Sequence, residues 1–138
     1  MGLNVQLLRD SFALVVEREP EVTHLFYDVL FRRFPQARGL FGRRTQREQE
    51  IMLRDMLVAI IDHLEDASWL GGQLGALGQK HVGYGVTPEM YGWVGAALLE
   101  TLETIAGADW TPALASAWTE AYAAISSLMQ GGVQPNIG

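Results

Sequence analysis

Three histidines and no cysteine set the limits of the chemistry available to this sequence. Without thiols there is no disulfide, no thiolate-held metal and no cysteine nucleophile, so only His, carboxylate, Met or Tyr could bind a metal. Leu70, Leu74, Leu77 and His81 recur at helical spacing and therefore share one helix face, which turns His81 inward. A buried imidazole must hydrogen-bond or bind a ligand, because an unsatisfied nitrogen costs on the order of 1–3 kcal/mol. The pattern alone leaves both readings open, a satisfied core histidine and a ligand histidine. His24, in the first turn of its helix, suits a solvated role; His63, among Asp62, Glu65 and Asp66, suits a surface ion partner. No two of the three stand three or four residues apart, so a His-only zinc site is not predicted. One inward histidine without a thiolate partner is instead the ligand set of a haem iron held from one side.

The elements that must position these residues are helices, because helical spacing dominates and strand-like alternation is missing. Leu7, Leu8, Ser11, Phe12, Leu14 and Val15 mark a first amphipathic segment, and Pro20 is placed to open the next. That second helix carries Val22, Leu25, Phe26, Val29, Leu30 and Phe31 and is stopped by Pro35, with a short turn through Leu40 and Phe41 after it. Thr45 to Glu48 (TQRE) reads as a capping box opening a long helix whose stripe is Gln49, Leu53, Met56, Leu57, Ile60 and Leu64. Gly71, Gly72, Gly75 and Gly78 each cost the following helix up to about 1 kcal/mol against alanine. That segment needs tertiary support or a ligand, and the glycines are expected to ease local adjustment near His81. Thr87-Pro88 and Thr111-Pro112 open two more helices, which end before Gly107 and before Gly131-Gly132.

The chain of 138 residues fits a single domain, residues 1–138, with a tail frayed from about 131. Nearly half the residues, 49%, are hydrophobic, yet no apolar run approaches the roughly 18 residues of a bilayer span. No secretory or myristoylation signal opens the sequence, so a cytoplasmic location without a membrane partner is expected. A net charge of -6 argues against nucleic acid, and Arg43, Arg44 and Arg47 read as a solvated loop rather than a phosphate patch. Neither a serine-nucleophile motif nor a phosphate-cradling glycine loop is found.

Four strings carry a more specific likeness: HLFYDVLFRRFP with GLF, LGQKHVGYGV, PEMYGWVGAALL, and AW followed by AY. In this order and spacing, across roughly residues 3 to 130, the chain resembles a globin. It is similar to single-domain bacterial globins, to the haem domain of flavohaemoglobins and to neuroglobin-like chains. The resemblance implies an all-α globin fold, a three-on-three helical sandwich around haem b (iron protoporphyrin IX), with His81 as the metal ligand. It implies that Phe41 packs on the porphyrin face, that Val86 touches the haem edge, and that Tyr91 lies on the proximal side. In flavohaemoglobins that tyrosine works with a late glutamate, whose position here falls near Val133, with no Glu after Glu120. Across the porphyrin it implies a distal Tyr27 and an amide from Gln46 or Gln49. Counting back from His81 favours Gln49 with Leu53 one turn further in, since Gln46 would put Glu50 there as an unpaired buried carboxylate.

Three functions follow as expectations. The first is reversible binding of dioxygen, nitric oxide or carbon monoxide at a pentacoordinate iron, for storage, delivery or sensing. The second is nitric oxide dioxygenase activity, with a separate reductase as partner because no flavin or nicotinamide domain is expected in these residues. The third is a haem-free globin-like interaction module, in which His81 is a plain core residue.

Overall fold

The computed structural model describes residues 4–40 and 45–131, and its six α-helices match the six expected helical segments, with Leu64 of the third stripe just beyond the end of its helix. They are α1 (Val5–Arg18), α2 (Val22–Arg33), α3 (Gln46–Asp62), α4 (Ala67–Gly83), α5 (Pro88–Ala106) and α6 (Pro112–Gly131). Pro35–Leu40 and Gly107–Asp109 form short 3-10 turns, and no strand occurs among the described residues. No helix among them is long and apolar enough to cross a membrane.

Local chemistry sets each helix start. The Asn4 side chain accepts the Leu7 amide hydrogen at 3.1 Å and opens α1. At α3 the expected capping box is complete: Thr45 Oγ1 accepts from the Glu48 amide at 3.1 Å, and the Thr45 amide donates to Glu48 Oε1 at 2.8 Å. Asp66 caps α4 by accepting from the Trp69 amide at 3.0 Å, and Thr111 caps α6 by accepting from the Leu114 amide at 3.1 Å. At Thr87 the side chain of Met90 takes part instead, its sulfur accepting the Thr87 amide at 3.4 Å while Pro88 occupies the first turn of α5. Pro20 stands two residues ahead of α2 rather than inside its first turn.

The helices form two layers, α1, α3 and α4 packed on α2, α5 and α6. The tightest crossing is α4 on α6, where a Cβ added to Gly78 would stand 1.8 Å from the Met129 carbonyl oxygen. Only a glycine lets the two backbones approach so closely. The sequence expectation of easy adjustment near His81 is therefore corrected at Gly78, which is a packing contact. Gly95 of α5 does the same under the Tyr122 ring, where an added Cβ would stand 2.7 Å from Cε2. The core runs through Leu8, Leu30, Leu74 and Leu102, all fully enclosed. Ser11, a hydroxyl on the apolar face of α1, is satisfied there: its Oγ accepts from Trp118 Nε1 at 2.9 Å and donates to the Leu7 carbonyl at 2.8 Å.

Candidate functional site

The stripe that ends on His81 opens outward along α4. Leu74 is completely buried and Leu70 nearly so, while Leu77 and His81 are half-buried. The crossing at Gly78, where α4 comes closest to α6, lies one turn before His81. His81 Nδ1 lies 2.9 Å from the Leu77 carbonyl oxygen. A carbonyl can only accept, so Nδ1 carries the hydrogen, and in the neutral ring Nε2 holds a lone pair. No other group among the described residues hydrogen-bonds this ring. It lies between Tyr91 of α5, stacked at 6.4 Å and 29°, and the exposed Tyr84 at 6.0 Å.

The chain then turns back on itself. Gly85 adopts φ +89°, a conformation side chains disfavour, and the Val86 amide donates to the His81 carbonyl at 3.0 Å. Val86 is thereby fixed, half-buried, beside the turn that carries His81. Tyr91 is buried, which pushes its phenol above the ordinary value, and its backbone carbonyl accepts from the Tyr122 hydroxyl at 2.6 Å. The late position near Val133 lies outside the described residues.

The neutral-ring geometry of His81 suits a metal ligand: one nitrogen is oriented by the backbone and the other presents a lone pair. His63 shows why the carbonyl bond alone does not define such a site. Its Nδ1 also meets a carbonyl, that of Ala59 at 2.8 Å, but its ring is covered face-on by Trp69 at 3.9 Å. The sequence expectation of a surface ion partner at His63 is corrected accordingly, since the ring turns to backbone and indole rather than to its acidic neighbours.

On α2, Tyr27 is 5% exposed, set edge-on to Phe26 at 5.0 Å and stacked with Phe31 at 5.8 Å. Burial first, and the charge of Glu50 second, push its phenol up to about 12. Helix α3 packs on α2 and brings Gln49 and Leu53, both half-buried, at its first turns. Phe41, Arg43 and Arg44 lie outside the described residues.

Sequence reasoning missed the part played by Glu50. Its side chain is 4% exposed, yet it is not unpaired: Oε2 accepts from His24 Nδ1 at 2.8 Å and from Gln46 Nε2 at 3.0 Å, and Oε1 meets Arg47 Nη1 at 3.2 Å. Burial pushes the Glu50 carboxyl up, but the hydrogen bonds from His24, Gln46 and Arg47 and the charge of His24 outweigh it and leave it below the ordinary value. Gln46 is committed to this carboxylate. Arg47, expected in a solvated loop, also reaches Glu21 at 2.8 Å. The signal available was the i, i+4 pair of Gln46 and Glu50, facing a histidine on the preceding helix.

A small apolar cavity of about 20 Å³ lies deeper in the core, between Leu57 and Ile60 of α3, Leu64 just beyond it, and Leu98, Trp118 and Tyr122 of α5 and α6. It has room for about one water and is lined by neither Tyr27 nor His81. Among the described residues no cluster of three His, Asp or Glu side chains could hold a metal.

A two-layer all-helical domain, with a histidine on α4 oriented by a backbone carbonyl and a buried tyrosine on α2, is the class of fold the structure defines. The chain belongs to the globin family, whose model, described as Globin, matches residues 24–129. It is 34% identical over 125 residues to "Flavohemoprotein B" of Dictyostelium discoideum, covering 89% of this chain and 29% of that protein. It is 33% identical over 116 residues to a "Flavohemoprotein" of Pseudomonas putida, covering 82% of this chain and 29% of the relative. The chain thus spans a little under a third of the length of these relatives. Among solved structures, an engineered carbene transferase made from a candidate nitric oxide dioxygenase of Rhodothermus marinus matches at TM-score 0.79 and 26% identity, covering 91% of this chain and 87% of that one. A bacterial globin from Campylobacter jejuni shares the fold at TM-score 0.77 and 23% identity, covering 91% of each chain. Membership of this family implies haem binding.

Proposed function

We propose that this chain binds haem b through His81 and holds small diatomic ligands, dioxygen first among them, on the side faced by Tyr27 and Gln49. The observation that carries the reading is the His81 ring, whose Nδ1–H is spent on the Leu77 carbonyl so that Nε2 offers its lone pair. Haem, held by His81, would supply an iron able to bind a diatomic gas. The protein's own residues do the rest. The Leu77 carbonyl keeps His81 in one tautomer and raises its basicity as a ligand. Tyr91, stacked beside the ring, would limit its rotation, and Val86 would supply apolar contact at the haem edge, as the family likeness also implies for Phe41.

Burial, and secondly the charge of Glu50, push the Tyr27 phenol up to about 12, so it keeps its proton across the physiological range. It therefore acts as a donor, holding its proton at Oη toward a ligand that draws negative charge when bound. Gln49 adds an amide N–H from α3. Charge-assisted donors of this kind favour dioxygen over carbon monoxide, which takes up less charge.

Nitric oxide dioxygenation is a second reading, favoured by the likeness to flavohemoproteins and to the Rhodothermus protein. It needs reducing equivalents from a reductase, whether tethered or separate. Steady consumption of nitric oxide by the purified chain with a cellular reductase supports this reading, and stoichiometric oxidation that stops after one equivalent leaves ligand binding alone.

The first test is spectroscopic. Protein produced with haem available is expected to show a Soret band, and His81→Ala to lose most of its haem. A colourless folded protein would favour the haem-free module, and full retention of haem by His81→Ala with an unchanged spectrum would remove His81 as the ligand.

A further inference from the structure

We infer that Glu50 is a positioning residue for the distal side: its buried carboxylate, held by His24, ties the first turn of the helix carrying Gln49 onto the helix carrying Tyr27, and the protonation of His24 sets how firmly. The inference rests on the distal roles proposed for Tyr27 and Gln49.

The geometry is that of a clasp. Glu50 comes from α3 and His24 from α2, and their 2.8 Å contact joins helices whose side chains would form one wall. The carboxylate is enclosed and fully engaged, while the imidazole is about half exposed and exchanges protons with solvent. The other histidine nitrogen, Nε2, faces Asp28 Oδ2 at 3.5 Å. Two carboxylates on opposite edges of one ring favour its doubly protonated form.

The charged groups around the clasp can be named element by element. From α2 and the residue before it come Asp28 and Glu21; from α3 come Glu50 and Arg47, with Gln46 as a neutral donor. Of the other elements packed on α2, α5 directs Glu100 to Arg32 and Arg33 at the far end, and the 3-10 turn places Arg38 over Phe31 at 4.3 Å. None of these competes with Glu50 for His24.

When His24 is protonated its bond to Glu50 joins two opposite charges; once the ring is neutral it can donate through one nitrogen only, and the bond keeps only the carboxylate's charge. The first turn of α3 is then held less tightly, and Gln49 with it. The hydrogen bond that His24 donates to Glu50, and the charges of Asp28, Glu50 and Glu21, outweigh desolvation and raise its titration above 6.5. The release of a distal ligand should therefore be slow when His24 is charged and faster above its titration.

Dioxygen release measured by stopped flow from pH 5.5 to 9, alongside imidazole proton NMR of His24, tests this in the haem-loaded chain. The wild type is expected to show a step in rate, about two- to thirty-fold, centred on the His24 midpoint. Glu50→Gln is expected to return the His24 midpoint toward 6.5, to abolish the step and to release fast throughout. His24→Gln, a change on a half-exposed face that keeps a neutral donor, should give the alkaline wild-type rate at every pH. A wild-type rate that is flat through the His24 midpoint, or a Glu50→Gln protein that keeps both midpoint and step, overturns the inference. If the chain shows no Soret band, or if Tyr27→Phe leaves release unchanged, the underlying reading fails and takes the inference with it. A normal Soret band and a Tyr27→Phe effect with no pH step overturn the inference alone.

Discussion

At the scale of single residues, the protonation states of Tyr27, Glu50 and His24 are set by one small neighbourhood. Tyr27→Phe deletes a donor worth about 1.5–3 kcal/mol to a charged acceptor, so dioxygen release should quicken by about ten- to hundred-fold in stopped-flow displacement. The clasp also gives stability a pH dependence with two limbs. Glu50 is held below its ordinary 4.5, so it contributes stability above that value and loses it as the pH falls through its lowered pKa. His24 is raised above its ordinary 6.5, so its contribution is complete below that value and is lost as the pH rises through the raised pKa. The pair therefore contributes in full between about 4.5 and 6.5. Urea midpoints measured across pH should show this plateau, and Glu50→Gln should flatten both limbs.

Among elements, the glycines of α4 separate into two kinds. Gly78 stands where a methyl group would meet the Met129 backbone, whereas nothing lies within 4 Å of one added at Gly72. Gly78→Ala should force α4 off α6 and cost about 1–3 kcal/mol, the usual range for overpacking. Gly72→Ala should be neutral or gain up to about 1 kcal/mol from helix propensity. The thermal midpoint is expected to fall in Gly78→Ala and to hold or rise in Gly72→Ala, and equal shifts would show that the crossing tolerates a side chain. The sequence displayed the glycines but not their partners, because a close crossing depends on a helix far along the chain. Helix starts were more legible: the capping box at Thr45 and the Thr111 cap are local chemistry, and both formed as written.

The whole molecule bears out the reading of an all-α globin fold, since the apolar stripes and the proline and glycine stops carry most of that information over short distances. The candidate site was legible where it depends on spacing. The His81 stripe is one case, although the ring proves half-buried rather than inward. It was not legible where burial alone decides, as at Glu50, whose carboxylate is tolerated inside only because His24, Gln46 and Arg47 converge on it. A ligand that binds the folded chain and not the unfolded one stabilises it by mass action. Haem addition should therefore raise the thermal midpoint of the wild type, and His81→Ala should gain little; equal gains would place the binding elsewhere.

Helix α2 is fastened at both ends to different layers, through His24 to Glu50 of α3 and through Arg32 and Arg33 to Glu100 of α5. A twelve-residue helix is about 18 Å long, so it behaves as a stiff lever between two anchors. Any rolling of α3 away from Tyr27 must either part the first anchor or load the second. A fluorescent or spin label placed near Glu100 would consequently report, from the opposite end of the lever, on events beside the buried phenol.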